Sequence, residues 1–279
     1  SAWQILEMQK SLKNPPCNIL TFHANLDGMP LFRSVPYFSK IFVSKLNEKM
    51  DGVIGVADLI LRLFRGYKKP MKVIANGIDL NQFNPNIEGY KRFDDGKINI
   101  LFIGRIEERK GLIYLLEAYK LLQEKNDNIR LIIVGEGPLK KDCQQFVKCN
   151  DLTNVVFEGQ GAGDTIAKYL NSSHIFCSPA IFGESFGIVL LEAMACKKPI
   201  CGFSNLGYKE LLQGTKGESF LAEPRDSAKL ALILEKLIKN EKLRKEMGEW
   251  GYETAQNYSW EKIADQVLEF YGQCKNRID

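Results

Sequence analysis

At 279 residues the chain is long enough to bury one or two cores, and apolar and charged shares of 45% and 26% are those of an ordinary globular protein. A net charge of +4 with no basic and aromatic stripe argues against nucleic acid as a partner. Seven cysteines without a C-x2-C pair or a Cys/His cluster argue against a disulfide scaffold or a structural metal, no apolar run approaches the ~18 residues of a membrane span, and no signal peptide is visible, so a reducing, cytoplasmic setting is expected.

The chain opens in helical text, Ala2–Leu12, with Ser1 where an initiator Met would stand. A first strand is expected at Asn18–Phe22, then a helix over Val35–Glu48, a strand at Gly52–Val56 and a short amphipathic helix reaching Arg65. In the first helix Lys40, Lys45 and Lys49 lie among Phe38, Ile41, Phe42, Val43 and Leu46. That pattern suits peripheral contact with anionic lipid, or a helix packed on its sheet with a solvated lysine face, and the second is preferred. Val73–Ala75 reads as a strand leading through the Asn76-Gly77 turn into Asp79–Lys97, whose Pro, Gly, Asn and Asp content marks irregular chain and a domain boundary.

The second half alternates more regularly. Strands are expected at Ile98–Ile103, Ile129–Val134, Val155–Phe157, His174–Ser178 and Pro199–Phe203. Between and after them come helices over Leu112–Glu124, Leu139–Lys148, Asp164–Leu170, Asp226–Lys239, Leu243–Tyr258 and Trp260–Tyr271. Such alternation predicts an α/β fold with parallel sheets covered on both faces.

Several stretches carry residues suited to chemistry. In Gly183-Glu184-Ser185-Phe186-Gly187-Ile188 a carboxylate loop runs into a helix that bears Glu192 two turns on. Free N–H groups at a helix start suit a diphosphate, Glu192 is within reach of ribose hydroxyls, and Glu184 stands where a sugar would lie. The ordinary alternative is a loop-to-helix junction capped by Ser185, with Glu192 on the surface. After Ile98–Ile103, the stretch Gly104-Arg105-Ile106-Glu107-Glu108-Arg109-Lys110-Gly111 brings Arg105 and Lys110 to the edge of a sheet where α/β proteins bind ligands, and both suit phosphate oxygens. Its ordinary alternative is a solvated charge cluster. Gly135-Glu136-Gly137-Pro138 and Gly159-Gln160-Gly161-Ala162-Gly163 are Gly-rich turns after two further strands. His23 follows the first strand, in Thr21-Phe22-His23-Ala24, while His174 reads as structural.

Together these stretches resemble retaining glycosyltransferases of family 4. The match is to the E-x7-E signature (Glu184, Glu192), the G-R-x4-K-G element (Gly104, Arg105, Lys110, Gly111) and the V-G-x-G-P loop (Val134–Pro138). Val155–Gly159, the passage Val73–Asp79 with Phe83, and the T-F-H segment at Thr21–His23 also agree. The resemblance runs over about residues 17–272 and is greatest to the phosphatidylinositol mannosyltransferase branch. It implies a GT-B fold, two Rossmann-like parallel-sheet domains, with the N-terminal one incomplete. Residues 1–80 would be a partial acceptor-side domain, 81–97 a linker, 98–258 the nucleotide-sugar domain, and 259–279 a terminal helix packing back toward the first domain.

The resemblance also implies a hexosyltransferase that retains configuration, needs no metal and no cofactor, and uses a nucleotide-diphosphate sugar as donor substrate. The absence of a D-x-D motif agrees with the lack of a metal. Mannose is favoured as the sugar and phosphatidylinositol or another lipid as acceptor, with action at the inner face of the membrane. His23, Glu184, Arg105 and Lys110 would be catalytic. Gly104, Gly135, Gln160, Gly161, Ser185, Phe186, Gly187, Ile188 and Glu192 would bind the donor. GDP and UDP stay open, because Gly161, Ala162 and Gly163 offer a base mainly backbone groups. Competing readings are a UDP-sugar glycan transferase, a piece that binds nucleotide sugar without turnover, and a Rossmann oxidoreductase. The last is disfavoured because no G-x-G-x-x-G follows an early strand.

Overall fold

The computed structural model describes residues 16–23 and 36–276, so the predicted helix Ala2–Leu12 and Ala24 lie outside the described residues. The chain divides into two compact units, one running to Asn76 and taking in the chain from Glu261 onward, the other spanning Gly77–Trp260.

The first unit is built on a parallel three-stranded sheet in the order β1 (Ile19–Phe22), β2 (Gly52–Gly55), β3 (Met71–Val73). β3 sits two residues before its predicted place. Register decides this: Val53 pairs with Met71 and Gly55 with Val73. Met71 and Val73 are exposed, so the apolar text at Val73–Ala75 does not mark the strand. Helix α1 (Pro36–Lys49) buries Val43 and Leu46 and leaves Lys40 and Lys45 in solvent. The short helix α2 (Asp58–Leu61) continues as a 3-10 turn to Phe64.

The second unit holds a six-stranded, all-parallel sheet: β4 (Ile98–Ile103), β5 (Ile129–Val134), β6 (Val155–Gly159), β7 (Ile175–Ser178), β8 (Ile200–Phe203) and β9 (Leu221–Ala222). Their spatial order is β6-β5-β4-β7-β8-β9. β4 and β5 pair without a slip from Ile98–Ile129 to Ile103–Val134. β5 is buried throughout, as expected of a central parallel strand rich in Ile and Val. Helices α3 (Leu112–Gln123), α4 (Lys140–Cys149), α5 (Asp164–Ser172), α6 (Ile188–Ala195), α7 (Leu206–Leu212), α8 (Ser227–Lys239) and α9 (Glu241–Ala255) alternate with the strands or follow them.

One core joins the sheet to Leu115, Leu116 and Tyr119 of α3 and to Leu230, Leu234 and Leu237 of α8. Helix starts follow the sequence where a capping side chain is present. The Asp226 carboxylate accepts from Lys229 N–H at 2.8 Å, and the Asn240 side chain accepts from Leu243 N–H at 2.9 Å. α7 and the two-residue β9 have no counterpart in the prediction. The expected loop Asp79–Lys97 contains one 3-10 turn, Lys91–Phe93, and buries Phe83 and Phe93.

At the N-terminal edge of this sheet a polar network ties the strands together. Buried Asn99 donates to the carbonyls of Phe93 and Ser172, and Arg130 pairs with Asp95. His174 Nδ1 accepts from Asn99 N–H at 3.0 Å, and desolvation holds its pKa below the usual value. His174 thus serves the fold. The last helix, α10 (Trp260–Lys275), supplies Ile263, Phe270 and Cys274 to the core of the first unit, against Ile54 and Ile74.

Candidate functional site

The strand order of the larger sheet reverses between β4 and β7, which opens a crevice at their C-terminal ends. The loops after β4, β5 and β6 enclose a cleft of about 460 Å³ lined by Gly104, Arg105, Gly135, Glu136, Gln160 and Gly161, among others. Four of those six were predicted to bind the donor and Arg105 to be catalytic. Small residues are required here by close approach. A Cβ on Gly135 would run into the carbonyl of Gly104, and one on Gly137 into that of Ile106. The same loops are laced by hydrogen bonds from Gly104 N–H to Val134 O at 3.0 Å and from Ile106 N–H to Glu136 O at 2.9 Å.

The loop after β4 is also fastened to the loop after β7. Ile181 N–H donates to Arg109 O at 2.8 Å. Gly111 takes a left-handed conformation, φ +67°, with no room for a Cβ beside the Pro179 carbonyl. The side chains of the two loops then meet. Lys110 Nζ lies 2.6 Å from Glu184 Oε1, and Arg109 Nη1 lies 3.1 Å from the same oxygen. Glu107 completes the chain of charges, with Oε1 2.5 Å from Arg109 Nε and Oε2 3.1 Å from Arg105 Nε. Glu184 and Lys110 keep only 13% and 17% of their side-chain surface in solvent, whereas Arg105 keeps 67%. Arg105, Lys110 and Glu184, predicted from two distant stretches, therefore belong to one cluster. The solvated-cluster alternative fails for Lys110 and holds best for Glu108, which is exposed.

Helix α6 begins at Ile188 after Gly187, which adopts φ +104°. The N-cap is Gly187 with no side-chain cap, so Ser185 does not cap the helix. Leu190 N–H and Leu191 N–H return to the Gly187 carbonyl, as the first turn of a helix requires. Phe186 is buried and packs on Tyr258, with ring centroids 5.7 Å apart. Glu192 lies one turn into the helix on the face of Ile188, four residues before it. Burial pushes its carboxyl up to about 7.

The family described as "Glycosyl transferases group 1" matches residues 84–254, a span that contains the whole cleft, the charge cluster and α6. The chain belongs to the glycosyl transferases group 1 family.

Among curated relatives of this group 1 chain, the phosphatidyl-myo-inositol mannosyltransferase of Mycobacterium leprae is 34% identical over 233 residues, covering 81% of this chain and 60% of that protein. The protein of the same name from Mycobacterium tuberculosis is 31% identical over the same shares. The chain thus spans about 60% of the length of these relatives. Among solved structures, sucrose-phosphate synthase of Thermosynechococcus elongatus superposes with a TM-score of 0.77 at 22% identity, over 99% of this chain and 71% of that one. TarM of S. aureus superposes with a TM-score of 0.76 at 20% identity, over 95% and 52%. These likenesses establish the GT-B fold class expected from the sequence.

His23, the remaining predicted residue, directly follows β1 in the first unit, where it is exposed, with Nδ1 3.0 Å from Asn76 Oδ1. Sequence reading passed over five residues that build the candidate site. Arg109 and Glu107 extend the ion-pair chain. Tyr208 and Asn205 hold the Glu184 loop from beneath: Tyr208 OH lies 2.7 Å from Ser178 Oγ, and Asn205 donates to Ala180 O at 2.8 Å. Gly207 of α7 comes so close to Glu184 O that a Cβ there would stand 2.5 Å away. No local pattern announces the contacts of Tyr208, Asn205 and Gly207, because each joins segments 20 or more residues apart.

Proposed function

We propose that the chain carries the donor site of a retaining, metal-independent hexosyltransferase that moves mannose from GDP-mannose to a lipid acceptor such as phosphatidylinositol. The observation that carries this reading is the convergence of Arg105, Lys110 and Glu184 across the β4–β7 switch point of a Rossmann-like sheet, next to a Gly-lined cleft at the ends of β4, β5 and β6. The names of the mycobacterial relatives supply the sugar and the acceptor class.

In this reading the base enters the cleft beside Gln160 and Gly161, and Glu192 accepts from the ribose hydroxyls. Lys110, Arg105 and the opening N–H groups of α6, next to Ser185, Phe186, Gly187 and Ile188, meet the diphosphate. Negative charge grows on the diphosphate as the sugar leaves, and preorganised cations at such a place lower the barrier most. Glu184 accepts from hydroxyls of the sugar and is not a nucleophile. The acceptor attacks on the face the diphosphate leaves, assisted by a phosphate oxygen. The reaction belongs to the cytoplasmic side of a membrane, with the protein in peripheral contact.

A UDP sugar is the competing donor. Structures of the same fold class, TarM of S. aureus and HepE of Anabaena, contain UDP, and Gly161, Ala162 and Gly163 give a base few side chains to read. Calorimetry of the chain with GDP, UDP and GDP-mannose separates the two. GDP and GDP-mannose are expected to bind more tightly than UDP. Tighter UDP binding would move the reading to UDP sugars, and no binding of any of the three at millimolar concentration would sink the donor site. Transfer of labelled mannose to vesicles containing phosphatidylinositol tests turnover.

A further inference from the structure

Arg109 divides its guanidinium between two carboxylates. Nε faces Glu107 Oε1 at 2.5 Å, and Nη1 faces Glu184 Oε1 at 3.1 Å. Lys110 Nζ shares that Glu184 oxygen at 2.6 Å. We infer that Arg109 is a positioning residue, which holds Glu184 in place for the sugar while Lys110 exchanges Glu184 for the incoming diphosphate; this rests on the donor-site reading above.

The two cations differ in freedom. Lys110 is a compact charge on a flexible stem, and its stem runs alongside Gly104 at the rim of the cleft. Arg109 is a planar fork engaged at both ends, and its carbonyl is tied to Ile181 N–H. To reach a diphosphate Arg109 would have to abandon two carboxylates, and Lys110 only one. A doubly charged ligand therefore draws Lys110 first. With Lys110 gone, Arg109 keeps a cation on the largely buried Glu184. Glu107 in turn keeps Arg109 pointed at Glu184.

The test compares a nucleoside diphosphate with its sugar ester. GDP and GDP-mannose are titrated into the wild-type chain and into R109Q, R109K, E107Q and K110A, with UDP and UDP-glucose as the second pair. In R109Q the affinity for the bare diphosphate should stay within about twofold, while the extra affinity contributed by the sugar falls about tenfold. R109K should not restore it, because an ammonium cannot span two carboxylates. E107Q should show a smaller loss of the same kind. K110A should weaken both ligands together. Equal weakening of both ligands in R109Q would make Arg109 a diphosphate ligand and overturn the inference, and so would wild-type behaviour toward both.

An unfolding cycle of R109Q with E184Q reads the brace without ligand. Non-additivity of about fivefold in the unfolding equilibrium constant supports it, and additivity overturns it. Failure of either pair to bind the wild-type chain would overturn the donor reading and the exchange with it. The cycle distinguishes that result from failure of the brace.

Discussion

Two glutamates eight positions apart on one stretch of chain meet opposite surroundings. In the loop before α6, Glu184 is met by two cations brought from a segment about 75 residues earlier in the sequence. One turn into the helix, Glu192 meets burial, which raises its carboxyl to about 7. The loop is an assembled electrostatic centre and the helix turn is a desolvated one. The same residue type thus meets two environments, one carboxylate held by cations, the other a group that burial brings to change charge near neutral pH.

The first way to break this comparison is Lys110→Ala. If Lys110 meets charge that develops on the diphosphate, hexosyl transfer should fall by about 10²–10³ while the melting temperature changes little. Lys110→Arg should recover only part of the loss. Single-turnover rates at saturating donor, alongside a thermal melt, check this, and wild-type turnover in the Ala variant would take Lys110 out of the site.

Next comes the pH behaviour of Glu192. Its carboxyl titrates near 7 in the folded chain against an ordinary 4.5, so between those values the native state binds more protons than the unfolded one. The contribution of Glu192 is complete below pH 4.5 and is lost as pH rises through 7. Its span is on the order of 2–3 kcal/mol. Glu192→Gln should therefore gain stability on the wild type between pH 5 and about pH 8, seen as a flatter curve of unfolding free energy against pH in urea titrations. Donor binding should run the other way, strengthening with pH as the carboxylate becomes a better acceptor for ribose hydroxyls. Parallel curves for variant and wild type would remove Glu192 from the comparison.

A double-mutant cycle of Lys110→Ala with Glu184→Gln sharpens the other side. The pair is mostly shielded from water, and a coupling on the order of 1–2 kcal/mol in denaturant unfolding is expected. Coupling near zero would reduce the loop centre to a surface contact. The smallest effect belongs to Tyr208→Phe. It strips the Ser178 hydroxyl of a buried partner and should cost about 1 kcal/mol in chemical unfolding. An unchanged midpoint would show that the floor of the Glu184 loop does not depend on that bond.

What the sequence disclosed follows the range of the forces involved. β4 and β5 were legible to the residue because each is a six-residue run with a single polar position, Asn99 or Arg130, among Ile, Leu, Phe and Val, which suits a buried parallel strand. Gly104, Arg105, Gly135, Gln160 and Gly161 were legible because strand ends in such a sheet share one edge. β3 slipped by two residues because its exposed edge carries no burial signal. α7 and β9 were missed because seven and two residues give too few periods to read. Arg109 was passed over because Glu107, Glu108 and Arg109 read as a solvated run, and only folding brings Glu184 to them.

The closing helix has a consequence for synthesis. Gly52 of β2 has no space for a Cβ, which would stand 2.6 Å from Cys274 Sγ and 3.0 Å from the Phe270 ring. The core of this unit is therefore completed late, since Ile54 and Ile74 await a partner that is made only after the whole of Gly77–Trp260. Domains commonly fold in order of emergence, but here the nascent chain carries an open hydrophobic face until translation reaches α10.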